Sequence, residues 1–116
     1  MKIYGIPNCN TVKKTLDWFK QHHIDYVFHD FKKLGVTEAK LEEWAEQTGW
    51  EALINKRGTT WRMLDAGLQN SIKSKADAFK LMQEKTSVIK RPVVETSTGA
   101  IILGFDEEQF AKLLKP

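Results

Sequence analysis

The single cysteine of the chain, Cys9, stands between a short apolar segment and a stretch with helical spacing. The unpaired N–H groups and the dipole at the start of a helix favour an anion, so they favour a thiolate placed there. The thiolate is the nucleophilic form of cysteine, and helix N-termini lower cysteine pKa values. Because Asn8 and Asn10 flank Cys9 in a turn, we interpret it as a reactive thiol rather than an inert, buried cysteine.

A single cysteine limits what this chain can do alone. It excludes a disulfide within the chain and a structural cysteine-rich metal site. Any redox cycle through Cys9 therefore needs a second thiol from another molecule. The three histidines have no acidic or cysteine partners at a clear ligand spacing, and the adjacent pair His22 and His23 fits the cap of a helix C-terminus better than a metal site. We predict no metal.

Two arginines are candidate anion ligands. Arg57 lies in a polar loop before Gly58, and Arg91 immediately precedes Pro92 at the predicted start of a strand. Guanidinium groups bind phosphate-like anions and carboxylates through paired donors. The bond between Arg91 and Pro92 is also a candidate cis peptide. Taken alone, each arginine is more readily explained as an exposed surface charge.

The first part of the chain is predicted as a β-α-β unit, with elements at residues 2–4, about 10–22 and 26–28. Asn8 or Asn10 is expected to cap the first helix. A second helix is predicted from the Thr37 cap to about residue 48. The stretch 50–85 has no strand alternation, and we predict short helices there, around residues 51–54, 61–66 and 75–83.

The C-terminal part is predicted as a β-hairpin followed by a helix. The strands lie at residues 93–95 and 100–103, joined by a loop that contains Gly99. The last helix is predicted to begin at Asp106, with Gln109 completing a capping box and Phe105 contacting Phe110 as a hydrophobic staple. Its core face is predicted as Phe110, Leu113 and Leu114.

This order predicts an α/β protein with a thioredoxin-like fold, a mixed four-stranded sheet and a helical insertion between the two halves. A length of 116 residues fits one domain spanning 1–116, with the insertion at approximately 37–85.

The net charge of +3 comes from scattered residues, which argues against a nucleic-acid-binding face. No apolar run approaches the roughly 20 residues of a membrane span, and the start of the chain has no signal-peptide core. We therefore expect a cytoplasmic protein with no membrane or nucleic-acid partner.

Three segments together resemble the arsenate-reductase-like (ArsC/Spx) family, and within it the YffB type. The segments are Gly5-Ile6-Pro7-Asn8-Cys9, Arg57-Gly58-Thr59-Thr60-Trp61-Arg62 and Lys90-Arg91-Pro92-Val93. The resemblance covers essentially the whole chain. It implies a thioredoxin-like fold with a helical insertion, Cys9 as the nucleophile, Arg57 and Arg91 as oxyanion ligands, and a cis Pro92 facing the thiol. It also implies glutathione and glutaredoxin as partners in the catalytic cycle.

The chain departs from the family pattern at three positions. Gly5 stands where arsenate reductases carry a histidine, Gly104 stands where they carry a third arginine, and Val12 replaces the second cysteine of the Spx switch. Each charge-assisted bond is worth roughly 1.5–3 kcal/mol, so we expect weak arsenate turnover at best.

The main hypothesis is a monomeric, glutathione-dependent thiol/disulfide oxidoreductase with no bound cofactor. Cys9 is its nucleophile, and the candidate residues for binding the anionic substrate are Asn8, Asn10, Thr11, Arg57 and Arg91. Two alternatives stay open. One is a weak arsenate reductase that acts on a small oxyanion, and the other is a non-catalytic, Spx-like regulator that binds RNA polymerase or another protein.

Overall fold

The computed structural model describes residues 1–114 of the chain. These form two compact units. The first consists of Met1–Leu34 and the C-terminal part from Arg91, and the second is Gly35–Lys90. The predicted insertion at 37–85 falls inside the second unit. Over the described residues, no helix has the length and apolar character needed to cross a membrane.

Four strands and seven α-helices are present in residues 1–114. In chain order they are β1 (Lys2–Gly5), α1 (Asn10–Gln21), β2 (Val27–Asp30), α2 (Phe31–Leu34), α3 (Glu38–Thr48), α4 (Thr59–Arg62), α5 (Ala66–Ser71), α6 (Lys75–Glu84), β3 (Val93–Glu95), β4 (Ile101–Leu103) and α7 (Glu107–Leu113). Two short 3-10 helices, Glu51–Leu53 and Thr86–Val88, lie in the second unit. Neither α2 nor the second 3-10 helix was apparent from the sequence.

The strands form one mixed sheet in the order β2-β1-β3-β4. β1 runs parallel to β2 and antiparallel to β3, and β3 is antiparallel to β4. The predicted β-α-β half requires a parallel pair joined by a helix, which is β1 and β2. The predicted β-β-α half requires an antiparallel hairpin, which is β3 and β4. The predicted mixed four-stranded, thioredoxin-like architecture is confirmed.

The core of the first unit lies between one face of the sheet and helices α1 and α7. Its buried residues are Ile3, Trp18, Phe19, Ile24, Val94, Ile102, Phe110 and Leu114. The predicted core face of α7 is correct for Phe110 and Leu114, which are 0% and 1% exposed, and wrong for Leu113, which is 49% exposed. Leu114 is the C-cap residue of α7 with backbone angles outside the helical range, so helical spacing does not place its side chain on the same face as Leu113.

In the first unit, the start of α7 and the end of α1 are capped by residues that the sequence predicted. At the start of α7, Asp106 Oδ1 accepts a hydrogen bond from the N–H of Gln109 at 3.1 Å, and the Phe105 and Phe110 rings meet edge to face at 5.7 Å. At the end of α1, His22 is the C-cap residue. Its ring stacks on that of Trp18, with the two ring centroids 3.9 Å apart. These contacts confirm the predicted Asp106 cap, staple and C-terminal cap. The predicted capping box is wrong in its second half, because the side-chain amide of Gln109 donates to Asp106 Oδ2 at 3.0 Å and not to the backbone of Asp106.

Capping also sets the helix boundaries of the second unit. The hydroxyl of Thr37 accepts from the N–H of Lys40 and starts α3, as predicted. The helix predicted at 61–66 is wrong in its bounds, because two helices, α4 and α5, occupy this region. Asp65 separates them: its carboxylate accepts from the N–H of Gly67 at 2.7 Å and so begins a new helix.

The burial of α7 gives a first prediction. Phe110→Ala should lower the free energy of unfolding by about 3–5 kcal/mol, because it leaves a cavity in the core of the first unit. Leu113→Ala, at the half-exposed neighbouring face, should cost about 1 kcal/mol at most. Urea denaturation of both variants measures the difference. Equal losses would contradict the assigned core face of α7.

Candidate active site

The turn that carries Cys9 follows from its sequence. The N–H of Cys9 donates to the carbonyl of Ile6 at 3.1 Å, which closes a four-residue turn with Pro7 at its second position. The fixed φ of proline favours that position. The carbonyl of Cys9 then accepts from the N–H of Lys13 at 3.0 Å, the first hydrogen bond of α1. Cys9 is therefore the N-cap residue of α1, with extended backbone angles.

The prediction that Asn8 or Asn10 caps α1 is wrong. Asn8 is used inside the turn, and Asn10 is already the first residue of the helix. The position of Cys9 at the cap favours a reactive thiol, because the side chain at the cap faces the free N–H groups of the first turn. In this chain that side chain is the thiol of Cys9.

The N–H groups of Thr11 and Val12 are the second and third donors of the first turn of α1. The Cys9 side chain makes no capping hydrogen bond of ordinary geometry. Both N–H groups still act on its sulfur electrostatically. Partial burial raises the pKa of the thiol, whereas the N–H of Val12, the Arg91 side chain and the N–H of Thr11 lower it. The net effect is a Cys9 pKa below its ordinary value.

Sheet pairing brings Arg91 to the thiol. Because β3 is antiparallel to β1, its first residue, Val93, lies opposite Tyr4 near the end of β1. The residues just before β3 therefore lie beside the turn that follows β1. The side chain of Arg91 lowers the pKa of the Cys9 thiol, both as a hydrogen-bond donor to the thiolate and through its positive charge. A guanidinium beside a sulfur at a helix start stabilises the thiolate and can also hold an incoming anion.

The Arg91–Pro92 peptide bond is cis. Pro92 is buried, and its carbonyl accepts from the N–H of Gly104 at 2.8 Å, one residue beyond β4. This hydrogen bond continues the β3–β4 pairing up to the residue that follows Arg91. The segment that carries the guanidinium is thereby tied to the sheet.

The two glycines that depart from the arsenate reductase pattern both have a structural reason. A Cβ atom on Gly5 would lie 2.7 Å from Cγ2 of Val12, which is closer than side-chain atoms approach in practice. Gly104 has a φ of +80°, a backbone conformation that side-chain-bearing residues rarely adopt. The Gly5 and Gly104 positions therefore do not readily accept the histidine and the arginine of that pattern.

The remaining candidate residues are placed as follows. Asn8 and Asn10 are exposed on either side of Cys9, and Thr11 is half-buried. Thr11 acts on the thiol through its backbone N–H. Val12, which contributes in the same way, was missed as a site residue. The N-cap rule would have identified it, had Cys9 been recognised as the cap.

Arg57 belongs to the second unit. Its loop is closed by a hydrogen bond of 3.2 Å from the N–H of Gly58 to the carbonyl of Asn55, and Asn55 is tied in turn to the carbonyl of Val88 at 2.7 Å. Gly58 is the N-cap residue of α4, and the Arg57 side chain is exposed. The structure thus brings Arg91 to Cys9 within the first unit, and it places Arg57 on an ordered, exposed turn of the second.

The model of the ArsC family matches residues 4–113. The chain belongs to the ArsC family. That match includes Cys9, Arg57 and Arg91, and it confirms the family resemblance seen in the motifs.

Three relatives illustrate the range of the family. An uncharacterized protein of Haemophilus influenzae is 40% identical over 108 residues, which are 93% of each chain. The solved structure of a YffB protein is 37% identical, with a TM-score of 0.90 and 97% of both chains covered. The global transcriptional regulator Spx 1 of Bacillus cereus is 20% identical over 97% of this chain and 85% of its own length. The relatives of this chain thus include a transcriptional regulator as well as a YffB protein.

The contact between Arg91 and Cys9 gives a second prediction. Arg91→Ala should raise the pKa of the Cys9 thiol towards its ordinary value of about 8.5, because it removes both a donor and a positive charge. At a pH well below the thiol pKa, each unit by which the pKa rises lowers the thiolate fraction about tenfold. The rate of iodoacetamide alkylation measured from pH 5 to pH 10 reports the shift.

Arg91→Lys is the matched control, because it keeps the charge and loses the planar, paired donors. Its shift should be smaller than that of Arg91→Ala. An alkylation profile of Arg91→Ala that coincides with the wild-type profile would show that the guanidinium does not act on the thiol.

Proposed function

We propose that this ArsC-family protein is a glutathione-dependent thiol/disulfide oxidoreductase with Cys9 as its single nucleophile. The observation that carries the proposal is the position of Cys9 at the N-cap of α1, facing backbone donors and the Arg91 side chain that lower its pKa. A thiol of lowered pKa is ionised to a larger fraction at neutral pH, and the thiolate is the species that attacks disulfides.

The chemistry needs only one thiol of the protein. The Cys9 thiolate attacks the glutathione sulfur of a mixed disulfide between glutathione and a substrate thiol. A new disulfide forms between Cys9 and glutathione, and the substrate leaves as a thiolate that takes a proton from water. A second glutathione thiolate then attacks the glutathione sulfur of that disulfide. This step forms oxidised glutathione and regenerates the Cys9 thiolate, so glutathione supplies both electrons.

Glutathione also suits the charge of the site. It carries two carboxylates, and arginine binds carboxylates through two parallel hydrogen bonds. Arg91 then serves both the thiolate and one carboxylate of the bound glutathione. Asn8, Asn10 and Thr11 provide further polar groups around the thiol.

Arsenate reduction is the less favoured enzymatic alternative. The histidine and third arginine of that pattern are replaced by Gly5 and Gly104, and the structure shows why side chains are disfavoured at both positions. A role like that of the Spx regulators has family membership in its favour, but Val12 removes the second cysteine of an internal disulfide switch. A regulatory role would not use the lowered pKa of Cys9, whereas thiol exchange does.

Replacement of the nucleophile tests the proposal. Cys9→Ser should abolish the glutathione-dependent reduction of a small glutathione mixed disulfide. The reaction is measured by coupling the oxidised glutathione that it forms to glutathione reductase. Serine is a good N-cap residue, so α1 should remain intact and the free energy of unfolding should change little. Mass spectrometry of the wild type after exposure to oxidised glutathione should show one glutathione on Cys9.

Two results would contradict the proposed activity. One is turnover by Cys9→Ser equal to that of the wild type. The other is wild-type protein that forms no glutathione adduct and gives no turnover. Turnover of arsenate in the same coupled assay would instead favour the arsenate alternative.

A separate prediction concerns Arg57. If it binds a glutathione carboxylate, Arg57→Ala should raise the KM for the glutathione mixed disulfide several-fold and change kcat little, because a uniform binding contact is lost. Lys56→Ala is the matched control, since Lys56 is the adjacent residue of the same turn and is likewise exposed and positively charged. Equal effects of the two variants would mean that only the general positive charge of the turn matters.

A further inference from the structure

One buried contact joins the end of β1 to the first turn of α1. Gly5 is the last residue of β1 and is buried, and Val12 is 0% exposed. The space where a Cβ atom of Gly5 would lie is occupied by the side chain of Val12, with Cγ2 at 2.7 Å and Cγ1 at 3.4 Å. The valine side chain therefore packs directly onto the glycine backbone.

Val12 also supplies a backbone donor to the site. It occupies the third position of α1, and its N–H group is one of the two backbone donors that face the Cys9 sulfur. A β-branched residue in a helix has one strongly preferred χ1 rotamer, so its side chain does not readily rotate away from an obstacle. Any displacement of the Val12 side chain is thus passed to its backbone and to the N–H group.

We propose that Val12 is a positioning residue for the Cys9 thiolate, because its packing on Gly5 fixes the first turn of α1 relative to the end of β1. The turn between the two elements is otherwise held by the Cys9-to-Ile6 and Lys13-to-Cys9 hydrogen bonds. Those bonds fix the cap residue itself. The contact between Gly5 and Val12 fixes the donors that the cap side chain faces.

Two small substitutions, Gly5→Ala and Val12→Ala, test this contact. In Gly5→Ala, the new Cβ meets Cγ2 of Val12 at 2.7 Å, so either the end of β1 or Val12 must shift, which changes the position of the first turn of α1 relative to β1. In the double variant Gly5→Ala/Val12→Ala, both Cγ atoms are gone. The new Cβ then lies 3.7 Å from the Cβ of residue 12, which is an ordinary van der Waals contact. The double variant should restore the position that the single variant disturbs.

The readout is the pH dependence of Cys9 alkylation in the full-length protein. Gly5→Ala should move the inflection upwards by at least about half a pH unit, which lowers the alkylation rate near neutral pH about threefold. Val12→Ala alone should also raise the inflection, because the turn loses its contact. The double variant should return to within about 0.2 units of the wild type, a smaller change than either single variant produces.

Val94→Ala is the matched control. It makes the same valine-to-alanine change at a residue that is also 0% exposed, in the sheet core formed with Ile3 and Ile102. It should lower the free energy of unfolding and leave the alkylation profile unchanged. A shift in this control as large as that of Val12→Ala would show that general destabilisation, not positioning, moves the thiol pKa, and would overturn the proposal.

Two other results would overturn it. One is a Gly5→Ala profile that coincides with the wild type. The other is a double variant whose inflection lies as high as the sum of the single effects. Should Gly5→Ala not fold, the comparison of Val12→Ala with the double variant decides, since recovery supports the role and no recovery refutes it. Because alkylation requires no glutathione, this outcome is independent of the proposed enzymatic activity.

Discussion

The antiparallel pairing of β1 with β3 is the constraint on which the site depends. Cys9 and Arg91 are 82 positions apart in the chain, and they meet because Val93 lies opposite Tyr4 in this pairing. The hydrogen bond from the N–H of Gly104 to the carbonyl of Pro92 extends the sheet to the residue beside Arg91. Backbone hydrogen bonds of the sheet thereby hold the segment that carries the guanidinium beside the thiol.

The electrostatic state of Cys9 is a balance between burial and polar neighbours. Desolvation disfavours the thiolate, and the donors of Val12, Arg91 and Thr11 favour it more strongly. Two of these donors are backbone N–H groups, so the lowered pKa depends on where the first turn of α1 lies as well as on which side chains surround the sulfur. This is why a packed valine can matter to the reactivity of a thiol that its side chain need not touch.

The same turn explains how the chain differs from the arsenate reductase pattern within its own family. At Gly5 the space for a side chain is taken by Val12, and at Gly104 the backbone angle favours glycine. These positions change the environment of the thiol without removing it. A site with a lowered thiol pKa, one adjacent guanidinium and no second cysteine fits exchange with an external thiol better than an internal disulfide cycle.

Local signals determined much of this protein from the sequence alone: the four strands, most of the helices, the Thr37 and Asp106 caps, and the lone thiol at a helix start. These features depend on residues a few positions apart, and periodicity and capping chemistry record them directly. Tertiary structure decided what depends on distant residues, namely the approach of Arg91 to Cys9. It also settled which neighbouring apolar residue is buried, as Leu113 and Leu114 show. It decided the cap itself too, because the Ile6–Cys9 turn, and not the capping preference of asparagine, sets where α1 begins.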